Sequence, residues 1–417
     1  MKILVIGGGG REHAIVHALK KSPRVTELYC APGNGGISNE AVCVPIKATE
    51  IGALTDYAVK EAFDLVMVAP DDPLAMGLVD ALEARGIRAF GPRANAAIVE
   101  SSKAFSKELM KKYGIPTAKY ATFTDMNAAL DYIRAQGAPI VVKADGLALG
   151  KGVVVAQSVQ EAEEAVRSMM EDKKFGESGS TVVIEECMVG PEVTVLAFTD
   201  GKTIVPMLSS QDHKRVFDGD KGPNTGGMGA FCPSPKYTPE IADYCMANIF
   251  RPTIDALRAE GRTFKGVIYF GLMLTSEGPK VVEYNARFGD PETQPILTML
   301  DTDLVDIMEA IIDEKLETLD IRWKPGAACC VVMASGGYPT GHKTGYPISG
   351  LDEVPEGVFV YHAGTKKDGG TYLTAGGRVL GVTACGVSLP EAIAAAYAGV
   401  EKISFTDEHH RRDIGKK

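Results

Sequence analysis

The apolar positions of this chain come first in short unbroken bursts and then at helical spacing. Residues 2–6 form a buried-type strand running into Gly7-Gly8-Gly9-Gly10, and 11–20 follows as a predicted helix. Further strands at 27–30, 65–69 and 88–90 alternate with helical stretches, which predicts an open parallel α/β unit to about residue 92. Ala69-Pro70-Asp71-Asp72-Pro73 and Gly91-Pro92 end two of those strands at one edge, the carboxyl edge where such sheets bind ligands. Residues 94–113 read as one long helix carrying Lys103, stopped by Gly114-Ile115-Pro116.

A second α/β pattern starts near Thr117. Strands at 139–143 and 153–156 predict a hairpin whose tip, from Asp145 to Gly152, carries Lys151 and little side-chain bulk. The strand at 181–185 leads into Glu186-Cys187-Met188-Val189-Gly190-Pro191-Glu192, strands at 193–198 and 203–208 follow, and Gln211-Asp212-His213-Lys214-Arg215 ends in a polar, basic cluster. The run 218–229 is too irregular for helix or strand, and long glycine-rich loops in a compact domain are usually functional or disordered. Thr238-Pro239-Glu240 caps a helix running towards Arg258. Residues 265–274 and 279–285 pair through a turn, and helices near 294–300 and 304–312 follow. From Trp323 the pattern changes to strands at 327–333, 358–362 and 378–383 and one alanine-rich helix at 389–403. This predicts a third domain of about 90 residues.

The 417 residues exceed one ordinary core and imply two to four domains at about 100–200 residues each. Hydrophobic residues at 45% and charged residues at 24% describe an ordinary soluble globular protein. The net charge of −10 argues against a nucleic-acid or membrane-surface binder, yet leaves room for a local cationic pocket. The longest apolar runs fall short of the ~20 residues a membrane helix needs. The N-terminal run gives way to glycine too early for a signal peptide, so the expected location is cytoplasmic. Eight scattered cysteines without a C-x-x-C pair read as reduced thiols.

The chemistry concentrates in Glu283-Tyr284-Asn285-Ala286-Arg287-Phe288-Gly289-Asp290, straight after an apolar strand. Glu283 and Asn285 project from one strand face, and a carboxylate and an amide oxygen suit a magnesium ion that also takes substrate phosphates. Arg287 offers a planar fork for phosphoryl or carboxylate. The competing reading is an edge strand ending in a solvated acidic loop. At the N-terminal glycine turn the dinucleotide fingerprint fails, because Glu12 stands where its third glycine belongs and no acidic residue follows the next strand. Backbone N–H groups at a helix head still attract an anion, and a substrate phosphate is expected there. The 145–152 turn is not a Walker P-loop, since three residues separate Gly146 from Gly150, Gly152 follows Lys151, and a strand comes next. It is a flap over phosphates or a plain glycine-rich hairpin. His213 taken alone reads as structural or solvated.

Lys103, Lys143, the flap, the Glu185-Glu186 hinge, Glu192, and Glu283 with Asn285 occur in an order that resembles the ATP-grasp superfamily. The closer resemblance is to the phosphoribosylamine–glycine ligases, or glycinamide ribonucleotide synthetases, of purine biosynthesis. It rests on GGREHA near residue 9, APGN at 31, SKAF at 102, KADGLALGKG at 143, SQDHKR at 210, GPNTGGMGA at 222, NARFGDPETQP at 285, GGYP at 336, HAGT at 362, GGRVL at 376 and RRDIG at 411, which span nearly the whole chain. The resemblance implies an α/β and α+β multidomain fold. Its parts are an N-terminal open parallel α/β (pre-ATP-grasp) domain over 1–102, an ATP-grasp domain over 103–322 with a flap subdomain at about 117–190, and a small C-terminal mixed β/α domain over 323–417.

It also implies the ligation of glycine to 5-phosphoribosylamine with ATP and Mg²⁺ or Mn²⁺, through a glycyl phosphate, by a chain expected to be a monomer. By that resemblance Lys103, Lys143, Gly150, Lys151 and Gly152 hold or cover the ATP phosphates, and Glu185, Glu186, Val189 and Glu192 hold the nucleoside. Glu283 and Asn285 hold the metal and Arg287 neutralises the phosphoryl group. Asp212, Lys214 and Asp290 serve glycine or the incoming amine, and Gly9, Gly10 and Asn34 line the sugar-phosphate pocket. The chain departs from the family pattern at Asp71-Asp72, where Glu is usual, at Leu149, and at Tyr269, which stands near the place of a second acidic metal ligand. The rival readings are a nicotinamide oxidoreductase, a non-catalytic nucleotide-binding protein, and a sibling ligase with another acid or amine.

Overall fold

The computed structural model describes residues 1–147, 152–172 and 179–416. Five parallel strands form the N-terminal sheet in the order Val42–Cys43, Glu27–Pro32, Lys2–Gly7, Leu65–Val68, Ala89–Phe90. Both faces of its central strand are covered, which is why its residues are continuously apolar. Leu4 and Ile6 join one core, Ile3 and Val5 another, as alternation along a strand requires. Each of these cores runs on into the middle of the chain: Val195 and Phe270 belong to the first, Leu196 and Tyr269 to the second.

The strand Glu192–Thr199 pairs antiparallel with Gly266–Thr275, which pairs with Gly278–Asn285. Opposite Gly271 stands Glu283 while Leu272 faces Val281, so Val282 is the extra residue of a bulge. A smaller antiparallel sheet, in the order Tyr120–Phe123, Val182–Glu186, Ile140–Ala144, Val153–Ala156, is backed by the helices Met126–Gln136 and Val159–Met170 and has a core of its own.

Three sequence expectations need correction. The long helix over 94–113 is two helices, Ala94–Ser101 and Lys103–Tyr113, because Ser102 is extended at φ −138° and its Oγ accepts the Phe105 N–H at 3.1 Å. An N-cap serine favours a fresh start over continuation. The run 218–229 is partly regular, since Lys221–Asn224 pairs with Arg215–Phe217. That hairpin is anchored by Arg411, fully buried among Asp413, Asp220 and the Arg215 carbonyl. The C-terminal sheet is also not confined to the last ninety residues. Its central strands Ala327–Ser335 and Arg378–Gly386 extend through Gly229–Cys232 to Gln211–Asp212, so one sheet links the C-terminal region to the Asp212 segment.

Candidate active site

The bulge at Val282 turns its carbonyl to Lys143, whose Nζ donates to it at 3.1 Å. The same ammonium pairs with Glu185 Oε1 at 2.9 Å, and Lys107 pairs with Glu185 Oε2 at 3.0 Å. Burial alone would raise the Glu185 carboxyl, but Lys143 and Lys107 outweigh it and hold it below the usual range. Lys103 opens its helix and donates to the Gly146 carbonyl at 2.8 Å, while Ser102 Oγ and the Ala104 N–H bind the Asp145 carboxylate. The break in the helix therefore places a lysine against the end of the strand Ile140–Ala144, at the Gly146 carbonyl.

Glu283 and Asn285 share a face, and Tyr269 stands directly opposite Asn285. Burial acts to raise the Glu283 carboxyl, yet Lys214, Lys143, Lys103 and Arg287 together keep it low and ionised. Arg287 Nη2 pairs with the buried Glu100 Oε1 at 2.7 Å, and Glu100 Oε2 accepts the Ala286 N–H at 2.7 Å. Burial lifts the Glu100 carboxyl to about 7 against the pull of Arg287. Arg287 Nε is buried with no hydrogen-bond partner among the described residues, a donor left for an anion. An ionised carboxylate, a carboxamide oxygen and nearby cations suit a hard divalent ion carrying phosphate, so Glu283 and Asn285 fit Mg²⁺.

Beside them Lys214 pairs with Glu192 at 3.0 Å and approaches Glu283 at 3.9 Å. Tyr269 Oη contacts Thr194 Oγ1 at 2.9 Å and donates to the buried Glu292 at 3.1 Å. Asp212 is pushed up by burial and by Glu292, Glu192 and Glu283, with Lys214 opposing.

The far end of the cleft is assembled from all three parts of the chain. Asp290 pairs with Arg378 Nη2 at 3.1 Å and accepts from Gln294 at 2.9 Å, and Arg378 also donates to the carbonyls of Asp290 and Gly226. A Cβ on Gly9 would meet Glu12 Oε2 at 2.8 Å and one on Gly10 would meet Gln294 Nε2 at 2.7 Å, so the bare glycines admit these side chains, with Asp290 Oδ2 3.5 Å from the Gly9 position. Asn34 donates to the carbonyls of Gly8 at 2.9 Å and His362 at 2.7 Å, bridging the N-terminal and C-terminal regions. At the helix head one N–H is taken from within: Glu12 accepts the Gly9 N–H at 2.6 Å and is itself paired with Arg11 at 2.6 Å. The residue that breaks the dinucleotide fingerprint is thus the one that caps the helix.

Comparison with known proteins places this geometry. The phosphoribosylglycinamide synthetase N domain matches residues 1–100, its ATP-grasp (A) domain 101–293 and its C domain 328–417. The phosphoribosylamine–glycine ligase of Caldanaerobacter subterraneus subsp. tengcongensis is 48% identical over 414 residues, covering 99% of each chain. That of Xanthomonas axonopodis pv. citri is 50% identical over 419 residues, covering 100% of this chain and 97% of its own. The chain belongs to the phosphoribosylamine–glycine ligase family. The crystal structure of the family member from Thermotoga maritima superposes with a TM-score of 0.88 at 32% identity and full coverage of both chains. The biotin carboxylase domain of Hydrogenobacter thermophilus 2-oxoglutarate carboxylase, solved with MgADP and bicarbonate, shares the fold with a TM-score of 0.76 at 16% identity over 98% of this chain and 91% of its own.

Within that ligase fold, Lys103, Lys143, Glu185, Glu283, Asn285, Arg287, Asp212, Lys214 and Glu192 form one linked cluster, and Asp290, Gly9, Gly10 and Asn34 gather around the first glycine turn. Asn34 enters through the backbone it ties together, its carboxamide being committed to main-chain groups. Glu186 accepts the Lys119 N–H at 3.0 Å, Val189 is 81% exposed, and the Gly152 carbonyl accepts the Ala144 N–H at 2.8 Å. Gly150 and Lys151 lie outside the described residues. Sequence reasoning missed Lys107, Glu100, Glu292 and Arg378. Lys107 had a usable signal, four residues after Lys103 on one helix face. Arg378 lay unread inside GGRVL, and Glu100 had no signal once the helix was taken as continuous.

Proposed function

We infer that this chain joins glycine to 5-phosphoribosylamine, converting ATP to ADP and phosphate and giving glycinamide ribonucleotide. The observation that carries it is the convergence of Lys103, Lys143, Lys214 and Arg287 on one ionised carboxylate, Glu283, with Asn285 beside it. A carboxylate resists amines because oxide is a poor leaving group. Glycine's carboxylate oxygen therefore bonds to the γ-phosphorus as the bond to ADP breaks, giving glycyl phosphate. The amine nitrogen of phosphoribosylamine then bonds to the acyl carbon, phosphate departs, and the nitrogen loses a proton.

Lys103, Lys143 and Arg287 spread the charge of the transferring phosphoryl group, which is the main task in such chemistry. Glu283 and Asn285 would hold Mg²⁺, which would supply further neutralisation of phosphate oxygens. The raised Asp212 carboxyl and the Lys214–Glu192 pair stand where an ammonium or an incoming amine would be received, and Asp290 faces the glycine turn that receives the sugar phosphate. Water would destroy the acyl phosphate, so closure over the bound substrates is expected during turnover. The test is ADP release by the full chain with phosphoribosylamine generated in place, comparing glycine with alanine and formate. Release with glycine alone is expected. Equal release with alanine or formate assigns a sibling ligase, and none with any acid removes the reading.

A further inference from the structure

Lys107 is 2% exposed and lies behind Glu185, yet it makes three tertiary links. Its ammonium pairs with Glu185 Oε2 at 3.0 Å, donates to Thr117 Oγ1 at 2.8 Å, and sits 5.7 Å from the Tyr120 ring centre. Thr117 in turn donates to the Val281 carbonyl at 2.7 Å, and the Val281 N–H bonds to the Pro116 carbonyl at 2.8 Å. Lys107 therefore stands at the seam where the small sheet, through Tyr120 and Glu185, meets the main sheet next to the Val282 bulge.

We propose that Lys107 is a positioning residue for ATP, holding Glu185 so that the Lys143 ammonium can turn to a phosphate. This rests on the ATP-grasp reading above. The Glu185 carboxylate is buried and has two oxygens, one for each lysine. A buried carboxylate with one cation instead of two draws that cation harder, because the low-dielectric surroundings leave nothing else to neutralise it. With Lys107 present, Lys143 shares Glu185 with a second cation. Without it, Glu185 holds Lys143 with both oxygens, and any phosphate must compete. Burial lowers the Lys107 ammonium to about 8, with Glu185 opposing, so it is largely charged at neutral pH and serves as that second cation.

The experiment uses the full chain with Lys107→Met, which keeps the apolar stem, and Lys107→Arg, which keeps the charge. Calorimetric titration with Mg-ATP and no glycine reads the inference directly. Wild-type ADP release with glycine reads the ligase assignment separately, so either can fail alone. In Lys107→Met the ATP dissociation constant and KM are expected to rise about tenfold or more, with the glycine KM within about twofold of wild type. Lys107→Arg is expected to recover most of the lost ATP affinity. Should the methionine variant not fold, Lys107→Gln keeps a donor for Thr117 and removes only the charge, and the same ATP shift is expected. A folded Met or Gln variant binding ATP as wild type does overturns the proposal. So does a parallel rise in both KM values, which is general loosening, and so does an arginine variant as weak as methionine.

Discussion

The two ends of the cleft are built in different ways. The nucleotide end uses side chains on adjacent strands and one helix, with Lys143, Glu185, Glu283 and Asn285 in registers set by backbone pairing. The acceptor end has no such ladder: Gly9, Asn34, Asp290, His362 and Arg378 come from turns and strand ends far apart in the chain and are tied by side-chain bonds to main-chain groups. Charge follows the same division. At the nucleotide end Lys214, Lys143, Lys103 and Arg287 surround the Glu283 carboxylate, whereas at the acceptor end Asp290 and Arg378 answer each other. A ladder specifies position through spacing, and a junction of turns specifies it through domain packing. The first tolerates change in the second better than the reverse.

That asymmetry can be broken in order of effect. Arg287→Ala removes the fork aimed by Glu100 and is expected to lower kcat about 10²–10³-fold, as loss of one transition-state donor does. ADP release measured on protein that keeps its wild-type circular dichroism checks this, and wild-type turnover refutes the role. Arg378→Ala leaves Asp290 without its closest cation and frees the Gly226 carbonyl. It is expected to raise the KM for phosphoribosylamine about tenfold while leaving that for ATP unchanged. If the ATP KM climbs equally, the two ends are not separable.

The third effect is on stability. Burial lifts the folded Glu100 carboxyl to about 7 from 4.5, so the folded state keeps a proton that the unfolded chain releases. Stability then falls as pH rises from about 4.5 to 7, by at most about 3 kcal/mol, and Glu100→Gln is expected to flatten that decline. Denaturant midpoints at several pH values in this window measure it, and an unchanged slope in the variant assigns the effect elsewhere. The smallest expected effect is Ser102→Ala, about 1 kcal/mol of stability from a lost N-cap with kcat retained. A large loss of ATP affinity there means that the helix break itself sets Lys103.

The grouping of Glu283, Asn285, Arg287 and Lys143 was legible beforehand. E-x-N-x-R after an apolar run, and K-A-D-G at a hairpin, are local spacings whose meaning survives folding because strand alternation is fixed at two residues. The parallel N-terminal unit was legible for a related reason: a strand covered on both faces must be apolar throughout. Glu100, Glu292 and Arg378 were not legible, since each acts on a partner brought near by packing rather than by spacing: Ala286 and Arg287, Tyr269, and Asp290 with Gly226. At the first helix head a local rule allowed two partners for the Gly9 amide, and sequence did not show that the Glu12 side chain takes it. Sequence alone therefore determined which chemistry the chain carries, through residue type and short-range periodicity. The tertiary structure decided which charges remain available and which neutralise one another, because that balance depends on distances across the fold and on how far burial strips water from each group.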